Sequence, residues 1–259
     1  MPNYITNIVN MKGIKNKPIY DKDKNLDFNA LIPMSEELDV EAGSIEDIAI
    51  RECLRYVFSI VGYSFGMMSS QYAGMINDLK ESELKDYKYI EDCINHNIVS
   101  SREDIIKLGL QYIQNVVKYG YPTWYDWCTN NWGTKWNAID THIISNNEIN
   151  FLTAWTPPDP IYLKLSEMYP YDEIRVTWVD EGDLDIHKST FLDGDMIEDS
   201  TKTLIEKSDE ESTKYNINHM IEYCNIRSVD PDPEFINEVL IDIRKKDPIR
   251  LIEKVDDDV

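Results

Sequence analysis

Trp124, Trp127, Trp132 and Trp136, with Lys135 and Asn137 among them, are the residues whose types and spacing come nearest to a ligand site. They lie in one stretch, YGYPTWYDWCTNNWGTKWNAID from Tyr119 to Asp140, which holds four of the six tryptophans. Exposed indoles stack on nucleobases whatever the base, and the lysine and the carboxamide would meet phosphate oxygens or base edges. The competing role is packing. An indole buries a large area in a fixed geometry, and large aromatics mostly fill cores. Gly133 would then permit a close turn, while Asp126, Asn131 and Lys135 satisfy indole and backbone groups.

Two further constellations have the right residue types for chemistry. Asp183, Asp185 and His187 alternate, so one side of a strand would present two carboxylates and an imidazole to a divalent metal. The same acids also read as a solvated turn, Asp180-Glu181-Gly182-Asp183, and no calcium-loop pattern is present. Cys128 with His142 is the candidate nucleophile and base, but nothing in their spacing makes them meet, and buried thiols are the commoner outcome. GxSxG, Walker and HExxH motifs are absent. No catalytic residue and no cofactor is assigned on this basis.

Charge is the other chemical signal. The chain has 48 acidic and 26 basic residues, a net of −22. From Asp180 onward acids outnumber bases 23 to 10. Such a field repels phosphate backbones, which disfavours duplex DNA, and attracts a basic protein surface. The carboxylates that could form a phosphate-like array are Asp209, Glu210, Glu211, Glu222, Asp230, Asp232, Glu234, Glu238 and Asp242. The alternative is a solvated helix face that keeps the protein soluble.

These groups need elements to position them. At 259 residues and 42% hydrophobic content, the chain can bury a substantial core. Residues 4–11 alternate as a first strand closed by Gly13, and 14–27 are a polar loop. Residues 45–118 read as helical, on the periodicity of Ile45, Ile48, Ala49, Cys53 and Val57, then of Leu84, Tyr87, Ile90, Cys93 and Ile94. Gly62, Gly66, Ser69 and Ser70 mark a break between them. Ser100 and Glu103 form a capping box for a helix lined by Ile106, Leu110, Ile113 and Val117. Strands follow at 137–144 and 149–155 with a hairpin-length loop, a helix begins with Asp159 as cap and Pro160 at its first turn, and strands recur at 173–179 and 184–192. Asp193-Gly194 is a tight turn. Ser208 with Glu211 caps a further helix, and Ile236, Val239, Leu240 and Ile243 mark a last amphipathic one.

The order is that of a ferredoxin-like β-α-β-β-α-β sandwich of the α+β class, with an enlarged helical insertion and an acidic, mainly helical C-terminal extension. Residues 1–192 are expected to form the domain, with the insertion at about 45–118, and 193–259 the extension. One sheet face would be covered by helices and the other left open, including for self-association. The four cysteines are far apart with no CxxC, so reduced thiols are expected. No run of eighteen apolar residues exists, and MPNYITNIVN lacks a signal-peptide pattern, so a cytoplasmic location is expected.

TWYDWCTNNWGTKWNAID at 123–140 and FLTAWTPPDPI at 151–161, with MPNYITNIV and FNALIPMSEEL, resemble the phage- and plasmid-encoded family with a YubB-type ferredoxin-like domain. The resemblance spans roughly residues 1–192. It implies the fold and an origin on mobile elements, and no activity. The expected function is that of a non-enzymatic binding protein that engages a basic host protein, such as a nuclease or other defence component, by nucleic-acid mimicry. The alternatives are nucleotide sequestration at the Trp-rich stretch and a metal-dependent enzyme at Asp183, Asp185 and His187.

Overall fold

Alternating apolar residues in five short runs, each ended by a turn, build most of one antiparallel sheet. A computed structural model describes residues 3–61, 73–96, 98–207 and 209–246. The strands are β1 (Tyr4–Asn10), β2 (Ile139–Ile143), β3 (Glu148–Ala154), β4 (Ile174–Asp180), β5 (Ile186–Leu192) and β6 (Asp195–Lys202), in the order β2-β3-β1-β4-β5-β6. β1 pairs antiparallel with both β3 and β4. Each long connection therefore steps over one strand, and β1 to β4 make the ferredoxin-like arrangement. β5 and β6 extend it to six strands.

The pleat sorts side chains to two faces. In the observed register Ile5, Asn7 and Val9 share a face with Ile149, Phe151 and Thr153, and with Val176 and Trp178. Helix α1 (Phe28–Leu31) and helix α6 (Asp159–Met168) belong to this face. Phe28 meets Phe151 edge-on at 6.0 Å. The Tyr162 hydroxyl of α6 donates to Asn7 Oδ1 at 2.9 Å, and the Asn7 amide donates to Thr153 Oγ1 at 3.0 Å. Both Asn7 and Tyr162 are fully buried. Tyr162→Phe would leave Asn7 Oδ1 without its donor, at a cost of about 1–3 kcal/mol, read as a lower urea midpoint with an unchanged slope.

The opposite face is not left open. On helix α7 (Glu210–Ile226), Tyr223, Cys224 and Ile226 pack with Val179 and Ile186. The Tyr223 hydroxyl donates to the Asp180 carbonyl at 2.8 Å. Helix α8 (Pro233–Lys246) follows and contacts α7, with Leu240 and Ile243 buried.

The sheet does not stop at residue 192. Asp193 and Gly194 both take positive φ, 48° and 82°, as a two-residue hairpin turn requires, and lead into β6. Residues 195–202 are thus a strand, not the start of a helical extension. The segment DMIEDSTK is exposed along nearly its whole length, so it lacks the alternation that marks a half-buried strand.

The chain divides into two compact units, residues 34–128 and residues 1–33 with 129–259. The first contains helices α2 (Ser44–Val61), α3 (Ala73–Asn95) and α4 (Arg102–Tyr119), and helix α5 (Trp124–Asn131) spans the change of unit. Ile45, Ile48 and Ala49 of α2 pack with Ile90 of α3 and with Ile105 and Tyr112 of α4. The stripe expected to face inward on α4 does not. Its buried residues are Ile105, Gly109, Tyr112 and Asn115, whereas Leu110 is 47% and Val117 84% exposed. Gly109 lets α4 approach Ala49 and Cys53 more closely than any larger residue could.

Two caps also differ from expectation. Ser101, one residue after Ser100, caps α4 by accepting from the Asp104 amide. Pro158 occupies the cap position of α6, so Asp159 is its first residue and makes no cap bond. The Gly62–Ser70 break and Ser208 lie outside the described residues. Asp209 caps α7, accepting from the Ser212 amide.

Candidate protein-interaction surface

The Trp-rich stretch is divided between the two units. Trp124 and Trp127 belong to residues 34–128, where Trp124 is half-buried, edge-on to Tyr125, and Trp127 is buried. Trp132 and Trp136 belong to the sheet unit. Trp132 is buried, donates its indole N–H to the Ile32 carbonyl at 2.9 Å, and stands edge-on to Phe28. Asn137 is occupied as well. Its Oδ1 accepts from the Phe28 amide at 2.8 Å and its Nδ2 donates to Asp27 Oδ1 at 2.8 Å, which fastens the start of α1. Hydrogen bonding of this kind is what a buried carboxamide needs, and it leaves Asn137 little capacity for a base edge.

Lys135 is placed differently. Its ammonium lies 4.6 Å from the Trp136 ring centroid and 4.9 Å from that of Trp155. Trp155 is 42% exposed and has a φ of 69°, unusual for a bulky residue. Its amide donates to the Asn3 carbonyl at 2.9 Å, which helps to hold that backbone. Lys135, Trp136 and Trp155 form a cation–aromatic cluster, and Trp155 is the member that local spacing does not reveal.

Asp183, Asp185 and His187 do not converge. β5 begins at Ile186, so both aspartates precede the strand, and Asp183 Oδ1 accepts from the Asp185 amide at 2.9 Å as a turn brace. His187 stacks on Trp178 at 3.7 Å with the rings 7° apart, and its Nδ1 lies 3.0 Å from Thr201 Oγ1. Among the described residues no three His, Cys, Asp or Glu side chains are grouped to hold a metal.

Cys128 is buried, 3.7 Å from Met34 Sδ, and burial, aided by the charge of Asp39, pushes its thiol up to about 12. His142 is exposed on β2. A thiol held protonated at neutral pH is a poor nucleophile. Iodoacetamide at neutral pH is therefore expected to leave Cys128 unlabelled in the native protein and to label it in denaturant. Mass spectrometry of the tryptic peptide reads the difference, and labelling as fast as that of a free thiol would contradict the placement.

The acidic residues have several structural duties. Asp209 is the α7 cap, and its bonds from the Ser212 amide and hydroxyl lower its carboxyl. Glu222 accepts from Lys202 at 2.5 Å and Lys188 at 2.9 Å, which lowers its carboxyl despite partial burial. Asp232 accepts from the Glu234 amide, and Asp242 pairs with Lys245 at 3.0 Å. Glu210, Glu211, Asp230, Glu234 and Glu238 are exposed, and among the described residues none of them is in an ion pair. Glu234, Glu238 and Asp242 recur every fourth residue, so they line one stripe of α8, where like charges repel. Glu210 and Glu211 sit in the first turn of α7, where the helix dipole favours them.

Sequence reasoning passed over the acids of β6. Asp195, Glu198 and Asp199 are exposed. Asp199 accepts from Ser189 at 2.9 Å, and Glu198 lies 3.4 Å from Thr190 Oγ1. Behind them Asp159 has its carboxyl raised by burial and by the charge of Asp199. Only the recognition of β6 as a strand would have grouped these residues.

No curated protein matches this chain. A crystal structure of a protein api92 from Yersinia pseudotuberculosis covers 78% of this chain and 99% of its own, with a TM-score of 0.33 and 12% identity. A likeness at that level fixes neither fold nor function. The sheet topology and a family model agree on the more local statement: residues 131–220, which run from Asn131 through β6 into α7, match the family described as the ferredoxin-like domain in Api92-like protein.

Proposed function

We propose that this chain is a non-enzymatic binding protein of a phage or other mobile element, acting in the host cytoplasm on a basic host protein such as a nuclease or other defence component. In this reading the helices of residues 34–128 are an insertion in the first connection of a YubB-type ferredoxin-like domain, and α7 and α8 are its acidic extension. The observation that carries it is electrostatic. The net charge is −22, concentrated after Asp180, with Glu234, Glu238 and Asp242 in one stripe on α8. Complementary charge speeds and orients association more than it adds affinity, so a cationic partner is the natural one. The mobile-element part rests on the resemblance of the Trp-rich and TAWTPPDP blocks.

Affinity capture from a bacterial lysate at low salt, identified by mass spectrometry, tests the reading. The expected result is a basic protein retained specifically and released by salt. Retention of nothing basic, or retention indifferent to salt, would remove it.

The Lys135–Trp136–Trp155 cluster favours a second reading, capture of a nucleotide by stacking on an exposed indole. Thermal stabilisation across a nucleotide panel, lost in Trp155→Ala, would support it. Silence across the panel would end it.

A further inference from the structure

A sheet of six strands has two edges, and the two differ here. At one edge β2 is short, has a register irregularity, and is capped by the loop before α1. The Leu26 amide donates to Thr141 Oγ1 at 2.9 Å, and the Thr141 amide donates to Asn25 Oδ1 at 3.3 Å. At the other edge β6 pairs with β5 on one side only, and no described residue makes a backbone hydrogen bond to its outer side. It contains no proline, so every residue has its amide donor. The register irregularity opposite Thr190 and Phe191 sits near the turn, which leaves Glu198–Lys202 in regular pairing.

Charge decides what can lie along that edge. Asp199 points to the face of the sheet that carries α6, Glu198 to the face that carries α7. A second copy of β6 in antiparallel pairing would set Asp195 against Asp199, or Glu198 or Asp199 against its own copy, according to the register, and charged edges are a known guard against self-pairing. A basic strand reverses the sign of those contacts. Its backbone would satisfy the open donors and acceptors, while neighbouring basic residues reach Glu198 on one face and Asp199 on the other. Met196, 41% exposed, and Ile197, 58% exposed, offer apolar contact next to the acids. Main-chain pairing with alternating side-chain contacts is an established way of reading an extended peptide.

We propose that β6 is the seat of strand addition by an extended basic segment of a partner protein, with basic residues at adjacent positions meeting Glu198 and Asp199. This rests on the acidic-surface reading and narrows it to one edge and one backbone geometry.

The test uses the full chain and two synthetic peptides of equal charge. One places a Lys-Arg pair among valines and threonines. The other has proline at alternate positions, which removes ladder donors without changing charge. The strand-forming peptide is expected to bind about tenfold more tightly by fluorescence anisotropy. It should slow amide exchange across Glu198–Lys202, and it should lose affinity in Glu198→Gln/Asp199→Asn but not in Glu234→Gln/Glu238→Gln. Equal binding of both peptides, with loss only in the α8 variant, overturns strand addition and leaves the acidic surface standing. Binding of neither peptide at low salt overturns both. Dimerisation of the free chain through β6 overturns the proposed occupant.

Discussion

Gly109→Ala is expected to destabilise the helical unit by about 3 kcal/mol, although alanine is by propensity the better helix former by about 1 kcal/mol. The sign is decided by one close approach. A Cβ at Gly109 would lie 2.5 Å from the Ala49 carbonyl carbon and 2.8 Å from Cys53 Cβ. The first of these is backbone inside α2, so no side-chain rotation relieves it, and the two helices must separate. Separation loosens the cluster of Ile45, Ile48, Ala49, Ile105 and Tyr112, which is the core of this unit. It also strains the hydrogen bond from the Tyr112 hydroxyl to the Glu41 carbonyl, 2.6 Å in the native packing. Urea unfolding followed by circular dichroism at the helix band measures the effect. A gain in stability would mean that α2 and α4 do not pack in this register.

Asp86→Asn is expected to cost about 3 kcal/mol, because it removes a buried carboxylate that is the shared counter-charge of two partly buried arginines. Asp86 is 1% exposed. Its carboxylate accepts from Arg51 Nε at 2.8 Å and Nη2 at 2.7 Å, and from Arg55 Nη2 at 2.7 Å. Glu52, fully buried, takes Arg55 and Arg102 in the same way and extends the network to α4. An asparagine keeps the shape but offers one acceptor and an unwanted donor to two guanidinium groups. Burial pushes the Asp86 carboxyl up, yet the bonds and charges of Arg51 and Arg55 outweigh it and leave the carboxyl below its ordinary value. A carboxyl lowered by folding stabilises fully above the ordinary aspartate value and ceases to do so as pH falls through the lowered one. Wild type should therefore lose stability relative to Asp86→Asn on acidification below the ordinary carboxylate range, and the two curves should converge. A constant gap down to that range and beyond would show that the charge is not what Asp86 contributes.

The fold was legible where burial alternates. β1, with Ile5 and Val9 inward, and β4, with Ile174 and Val176 inward, carry the period of a half-buried strand. β6 does not, because its side chains are exposed on both faces along nearly its whole length. On α4 the apolar period was real, but the packed side was chosen by Gly109 and by the hydrogen-bonded Asn115, whose amide donates to the Glu37 and Pro122 carbonyls. Small and polar residues can define a buried face, and a count of apolar positions then selects the wrong one. At the Trp-rich stretch, the residue types were visible and the partners were not. Asn137 bonds to the start of α1, far away in sequence, and Lys135 lies against Trp155 from another loop. The long-range pairing that joins them is a product of the topology.

Most directly decisive is the affinity of the full chain for poly-lysine, measured by calorimetry as ionic strength rises from about 0.05 M to about 0.5 M, a range over which exposed charges pass from weak to strong screening. Electrostatic engagement of a cationic partner predicts binding at the low end that weakens steeply and vanishes at the high end. Absence of binding at the low end, or affinity that stays level across the range, would contradict it.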